Sequence, residues 1–435
     1  MTALDHSSSA PKPLSDSPYK GDFPLLNDFS KTVKLASSLN PGCRYVYLDS
    51  AASAHKPRAV IEAISSFYEA SYSNIHRGAH RLSIEATNKY ERARETVRSF
   101  IGAGDRREVI FCKGATEAIN MVAFGFVASQ LSAGDEILVS EMEHHANLIP
   151  WQQIARRQGA TLAKIEVTDD GQVTIPQILD SLNRRTKLVA LAQTSNVLGT
   201  INPAKKIVAA IRQHCTDKDL GNIPILIDGA QSIVHDPVNV EDLGCDFFVF
   251  SGHKLYGPTG VGVLYAKRCH HDALQPLHWG GGMVDRVTFE EASFDDAPGR
   301  YEAGTPHIAG AIGLEAAIKY VLSIDAAATH KMLAKGTEVL MRGLQEISGI
   351  KIIGPEIGLR APIVSFAIED VHAHDIATML DEYGVAVRAG HHCARPILAR
   401  FGIESAVRVS LGLYNSPGDC SYFLDMLKKS LAFFR

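Results

Sequence analysis

Short apolar runs, each followed by a polar or helix-spaced stretch, dominate the middle of the chain. EVIFC (108–112), DEILVS (135–140), KLVALA (187–192), IPILID (223–228), DFFVFS (246–251) and VGVLYA (261–266) are brief and rich in β-branched and aromatic residues. That pattern predicts buried strands. Upstream, RAVIEAISSFYEAS (58–71) and SIEATNKYERARETVRSFI (83–101) carry apolar residues at helical spacing. Strands interleaved with helices predict an α/β fold with a mostly parallel, mixed sheet covered by helices. After about residue 300 the texture changes to one helical stretch, IAGAIGLEAAIKYVLSI, and then shorter alternating segments to the C-terminus. The expected layout is a disordered leader over 1–20, a large domain over 46–300, and a smaller α+β domain from 21–45 and 301–435.

Composition narrows the picture mainly by exclusion. The 44 basic and 48 acidic side chains give a net charge of −4, without the basic footprint that nucleic acid or an anionic membrane selects. No apolar run approaches the roughly 18 residues of a membrane span. Seven scattered cysteines without a CxxC pair suit a reducing, cytoplasmic setting and argue against a disulfide framework or structural zinc. The Ser- and Pro-rich first twenty residues contain Asp5 and Asp16 but no Arg, and so resemble neither a signal nor a transit peptide.

The polar clusters that carry chemistry fall directly after the strands. KGATEAIN follows EVIFC, EMEHHAN follows DEILVS, QTSNVLGT follows KLVALA, DGAQ closes IPILID and SGHK closes DFFVFS. Ligands in open α/β sheets bind at the carboxyl ends of strands, so these clusters point to one site. Lys254 is either a surface lysine or an amine for a carbonyl cofactor, because lysine pKa falls readily on desolvation. Pyridoxal 5′-phosphate (PLP) would need an acid beside its pyridine nitrogen, and Asp228 is either that acid or a helix cap. Gln231, one turn further on, is able to donate to a ring oxygen. Gly114-Ala115-Thr116 precedes a helix, where Thr116 would cap the helix or meet a phosphate. No P-loop or GxGxxG accompanies it. Of His144 and His145, one would stack on a flat ring or both sit as loop histidines, and Asn196 lies in the turn after the next strand. Arg408, inside the apolar run VRVSLGLYN, fits either a carboxylate ligand or an ion pair.

RAGHHCARP (388–396) places Cys393 after two histidines and between arginines. Packing, metal binding and nucleophilic attack are the three fates open to it. Polar, electropositive surroundings favour the thiolate. Adjacent HHC ligands lack the spacing of zinc sites, so no metal is expected.

With these stretches assembled, the chain resembles the Suf-type (group II) cysteine desulfurases, fold-type I PLP enzymes of the class V aminotransferase group. The likeness runs from YLDSAASAHKP (47–57) to the C-terminus, through NIHRGAHRLS, GATEAIN, EMEHHANLIPWQ, SNVLGT, DGAQS, SGHKLYGPTGVGVLY, RYEAGTP, RAGHHCA and RVSLGLYN. It implies that Lys254 holds PLP, with His144 on the ring, Asp228 at the pyridine nitrogen and Gln231 at the ring hydroxyl. Ala115, Thr116, Ser251 and His253 would surround the phosphate, and Thr305 would reach that of a neighbouring subunit in a homodimer. Asn196 and Arg408 would hold the substrate carboxylate, with Arg388 and His76 lining the cysteine side. Cys393 would take sulfur from L-cysteine and pass it to a SufE-like or SufU-like acceptor protein for iron–sulfur cluster assembly. Selenocysteine lyase, acting on L-selenocysteine, is the first alternative on the same scaffold, followed by another class V PLP enzyme such as an aminotransferase or racemase, and by a catalytically silent sulfur-carrier scaffold. Two departures stand out: Ala115 where the family often has Thr, and the variant glycine-rich stretch HWGGGMVDRV.

Overall fold

The computed structural model describes residues 16–27 and 44–434. Its first strand is β1 (Val46–Tyr47). Seven more follow in the large domain: β2 (Val109–Cys112), β3 (Glu136–Ser140), β4 (Thr161–Ile165), β5 (Thr186–Ala192), β6 (Ile225–Asp228), β7 (Phe247–Ser251) and β8 (Gly262–Ala266). They form one sheet in the order β2-β8-β7-β6-β5-β3-β4. β8 runs against its neighbours β2 and β7, and the remaining pairs are parallel. The expected mixed, mostly parallel sheet is therefore the one found.

The strands read as continuous apolar runs because both faces are covered. Phe248 and Phe250 enter one core with the helices Arg81–Ile101, Ala204–Asp217 and Ile308–Ser323. Phe247 and Val249 enter the other with Ala115–Val122 and Ile149–Gln158. Burial of each such side chain contributes about 1.5–3 kcal/mol.

Beyond the hairpin of β9 (Val284–Val287) and β10 (Ala292–Phe294), the small domain is an antiparallel sheet. It orders β11 (Ile350–Ile353), β12 (Ile363–Ile368), β15 (Ala406–Ser410) and β14 (Arg388–Gly390). A short strand, β13 (Val385–Ala386), pairs in parallel with β1.

Core contacts cross the expected boundaries. Val46 and Leu48 bury in the small-domain core, drawn there by the β1–β13 pairing. The helix Ile308–Ser323 lies instead with the large sheet. The leader expected over 1–20 lies outside the described residues as far as residue 15. From Ser17 the chain is packed: its hydroxyl donates to the Leu413 carbonyl, and Phe23 is buried against Tyr256, Tyr320 and Tyr414. Among the described residues, no helix is long and apolar enough to cross a membrane.

Candidate active site

The carboxyl ends of β2, β3, β5, β6 and β7 open on one cavity of about 300 Å³, closed from the other side by the small domain. Lys254 and His253 follow β7, and Ser251 ends it. Within their turn a Cβ on Gly252 would lie 2.9 Å from Val261 Cγ1, and beside it a Cβ on Gly262 of β8 would lie 2.4 Å from the Gly114 Cα. Ser251 Oγ accepts from the Ala115 amide at 2.8 Å, tying β7 to the first turn of the helix Ala115–Val122. That amide is thus already used, while Thr116 is exposed beside it and lines the cavity.

Burial lowers the Lys254 pKa from 10.5 to about 8, with Asp228 opposing and Arg408 adding to the shift. The buried Asp228 carboxyl is pushed up by desolvation, although it accepts from the Ala230 amide at 2.9 Å. Gln231 Nε2 donates to the Ala51 carbonyl at 2.9 Å, which fixes its amide at the cavity edge. Desolvation and nearby cations hold His144 down to about 3 and His253 to about 4. His144 Nδ1 accepts from the Ala146 amide at 3.0 Å, so the neutral ring carries its proton on Nε2.

The small domain supplies the opposite wall. Arg388 and Arg408 face each other in the β14–β15 register, and both bind Asp49. Arg388 Nε lies 2.9 Å from Asp49 Oδ2, and Arg408 Nη2 lies 3.1 Å from Oδ1. Two guanidinium groups share one carboxylate, which leaves a net positive charge at the cavity. Arg408 Nη1 also donates to the Asn196 carbonyl at 3.0 Å, and Asn196 Nδ2 donates to the His392 carbonyl at 2.7 Å. Asn196 therefore links the arginine pair to the cysteine loop.

Cys393 is exposed at the mouth of this cavity. His392 and Cys393 both adopt left-handed backbone, φ 49° and 53°. Such backbone is uncommon for non-glycine residues and is held here by polar contacts. The His145 amide donates to the Cys393 carbonyl at 2.7 Å, and His392 donates from Nε2 to the Ala406 carbonyl at 3.0 Å.

Two expected residues lie elsewhere. His76 does not line the cavity; its left-handed backbone (φ 69°) and the bond from its amide to Thr87 Oγ1 turn the ring edge-on to Tyr90. Thr305 is exposed and also outside this cavity; its implied role lies across a subunit boundary.

Sequence reasoning missed Asp49, Thr194, His392 and Glu143. Asp49 and Ser53 were present in YLDSAASAHKP, but nothing in that stretch names an arginine partner. Glu143 is buried, accepts from Ser140, Asn147 and the Ala192 amide, and is raised to about 7 by desolvation. Thr194 Oγ1, His392 Nδ1 and Arg408 Nε belong to cavity-lining residues and are buried without a hydrogen-bond partner.

The family described as aminotransferase class-V matches residues 46–423. A probable cysteine desulfurase of Halalkalibacterium halodurans is 45% identical over 393 residues, 90% of this chain and 95% of the relative. One of Vibrio cholerae is 45% identical over 386 residues, 89% and 93% of the two chains. Among solved structures, the cysteine desulfurase CsdA (S-sulfonic acid) from Escherichia coli is 35% identical with a TM-score of 0.84, covering 95% of this chain and 98% of that one. The apo cysteine desulfurase from Thermococcus onnurineus NA1 matches over the same shares at 35% identity and a TM-score of 0.85. The sheet order, the lysine turn after β7 and these matches over nine-tenths of the length agree: the chain belongs to the class-V aminotransferase family.

Proposed function

We propose that the protein is a PLP-dependent cysteine desulfurase. It converts L-cysteine to L-alanine and keeps the sulfur as a persulfide on Cys393, for transfer to a SufE-like or SufU-like acceptor in iron–sulfur cluster assembly. The observation that carries this reading is that Lys254 and Cys393, from different domains, line one cavity with Asp228, His144 and Arg408. The relatives named cysteine desulfurase support the reaction class.

The residues fit PLP. A partly desolvated amine, a buried carboxylate with spare acceptor capacity and the unpartnered Thr194 hydroxyl face the same space. When bound, PLP supplies the electron sink that lets bonds at the substrate Cα and Cβ break. Lys254 would carry the cofactor and, once free, move the Cα proton, a task its lowered pKa suits. Asp228 would hold the pyridine nitrogen, and neutral His144 would stack without adding charge. Gln231 would meet the ring hydroxyl; Ser251, His253, Ala115 and Thr116 would surround the phosphate. Arg408, with Nε unpartnered and its charge only half-met by Asp49, would take the substrate carboxylate beside Asn196. Arg388 would line the side from which Cys393 Sγ attacks the substrate sulfur, forming the S–S bond as the C–S bond breaks.

We also read the enzyme as a cytoplasmic homodimer with Thr305 serving the neighbouring site. The exposure of Thr305, Trp279, Val287 and Phe289 supports a covered face there. Sedimentation at working concentration tests it, a dimer being expected.

The deciding experiment mixes the yellow holoenzyme with L-cysteine and measures alanine and the absorption spectrum. Alanine should form, and Cys393→Ala should retain the cofactor spectrum while losing alanine production. Full turnover by that variant, or turnover only with L-selenocysteine, would overturn the proposal.

A further inference from the structure

Sequence spacing gave Cys393 only adjacent histidines as metal partners. The fold changes that ligand set. His392 turns away, its Nε2 engaged by the Ala406 carbonyl. His145, from the loop after β3, comes in instead. One ligand atom from each of His145, His391 and Cys393 lies within 4.8 Å of the others, which among the described residues is the one such group of three.

Contacts through the backbone of the cysteine loop hold these groups in place. The Cys393 amide donates to His391 Nδ1 at 3.2 Å, so that ring folds back over the cysteine's own backbone. The His145 amide donates to the Cys393 carbonyl at 2.7 Å, and the Arg395 amide donates to His145 Nε2 at 3.2 Å. The two rings stand 5.7 Å apart and tilted by 32°. Tetrahedral zinc, with bonds of about 2.0–2.3 Å, needs its ligand atoms roughly 3.3–3.6 Å apart. The three ligand atoms, within 4.8 Å of one another, must therefore close by about 1 Å to hold such an ion.

We infer that His145, His391 and Cys393 form a reversible site for a thiophilic divalent cation of the zinc class. Cys393 gives up its thiol proton to solvent and forms one metal–sulfur bond, each imidazole donates one lone pair, and water fills the fourth position. No electron is transferred. Each ring already uses one nitrogen as an acceptor for a backbone amide. Coordination therefore costs each ring its hydrogen bond from a backbone amide, with a change of tautomer as well where the metal takes the other nitrogen. Arg388 and Arg395, which flank the loop, further oppose a dication. The site thus suits a weak, exchangeable ion and differs from a resident structural centre. Resting on the proposed function, metal occupancy blocks the nucleophile, so desulfuration is switched off by the ion and restored by a chelator.

The test titrates holoenzyme with Zn²⁺ and follows binding by calorimetry and alkylation of cysteines by iodoacetamide with mass spectrometry. One ion per chain should bind and slow alkylation of Cys393, reversed by EDTA, while exposed Cys269 reacts unchanged. His145→Gln and His391→Gln should each weaken binding by at least the roughly 10–100-fold seen when an outer-shell partner is lost. His330→Gln, at an exposed histidine of the helix Ala326–Gln345, should bind as the parent does. Equal affinity in the parent and both histidine variants would overturn the site, as would unprotected Cys393 in zinc-saturated parent enzyme. Neither readout needs turnover. Protection of Cys393 in an enzyme that makes no alanine would uphold the metal site and sink the desulfurase reading alone.

Discussion

The two walls of the cavity are built in opposite ways. Asp228, Ser251 and Lys254 sit on or just past strands buried on both faces, and the lysine turn is locked by its own backbone. The Gly252 amide bonds the Val261 carbonyl at 2.9 Å, and the Gly257 amide bonds the Gly252 carbonyl at 2.9 Å. Cys393 instead sits exposed on left-handed backbone, joined to the large domain by His145, Asn196 and the Arg395 amide. Each such bond contributes about 1 kcal/mol. The lysine wall is over-determined by packing, whereas the cysteine wall depends on a few polar contacts. Changes at the first should abolish chemistry, and changes around the second should grade it.

Lys254→Ala breaks the comparison hardest. Loss of a positioned acid–base group costs about 10²–10⁴-fold, so alanine formation should fall at least that far, with the covalent cofactor spectrum lost as well. Near-normal turnover would remove Lys254 from the chemistry.

Asp49→Asn attacks the link between the walls. It leaves the buried Arg408 without its carboxylate, and breaking a buried pair costs about 3 kcal/mol. Denaturant unfolding should register a loss of that order, together with a raised KM for cysteine. Unchanged stability would place the Arg388–Asp49–Arg408 group outside the fold's essential contacts.

Asn196→Ala removes the bond to the His392 carbonyl and leaves the strands intact. A loss of about 1 kcal/mol predicts a several-fold slower persulfide formation, with PLP content unchanged. A variant that sheds its cofactor would show the cysteine wall and the lysine wall to be less separable than their contacts indicate.

The remaining comparison concerns acid stability. Burial depresses seven histidines below 6.5: His55, His235 and His253 to about 4, His144 and His392 to about 3, and His145 and His271 in the same direction. The unfolded chain therefore takes up more protons as pH falls from 6.5, and their contribution, present above 6.5, is lost progressively toward 4–3. Glu143, raised to about 7, works the other way between 7 and 4.5, as do Asp228 and Asp236, raised from 3.8, but these are three groups against seven. The Tm should decline between pH 6.5 and 4.5, most gently in variants lacking His144 or His253. A flat profile would contradict the buried, neutral histidines of the cavity.

How much of this was legible in the sequence follows the same division. All six apolar runs became strands, because a strand buried on both faces announces itself without help from its neighbours. β4 escaped notice, since TLAKI leaves Thr161 and Lys164 exposed at the sheet edge. The residues after β2, β3, β5, β6 and β7 converged because strand polarity alone brings them together. Asp49, and the place of His145 beside Cys393, could not be found that way. Asp49 matters only once Arg388 and Arg408 face each other across β14 and β15, and His145 only once the cysteine loop docks on the turn after β3. His76 stands apart from this chain's cavity for a related reason: its backbone is left-handed and its ring sits edge-on to Tyr90.

Intact-mass analysis of the holoenzyme after a single turnover with L-cysteine, followed by peptide mapping, tests the central claim most directly. The account predicts the gain of one sulfur atom, located on Cys393, in step with one alanine formed. Alanine released with no sulfur on Cys393 at any time point would contradict it.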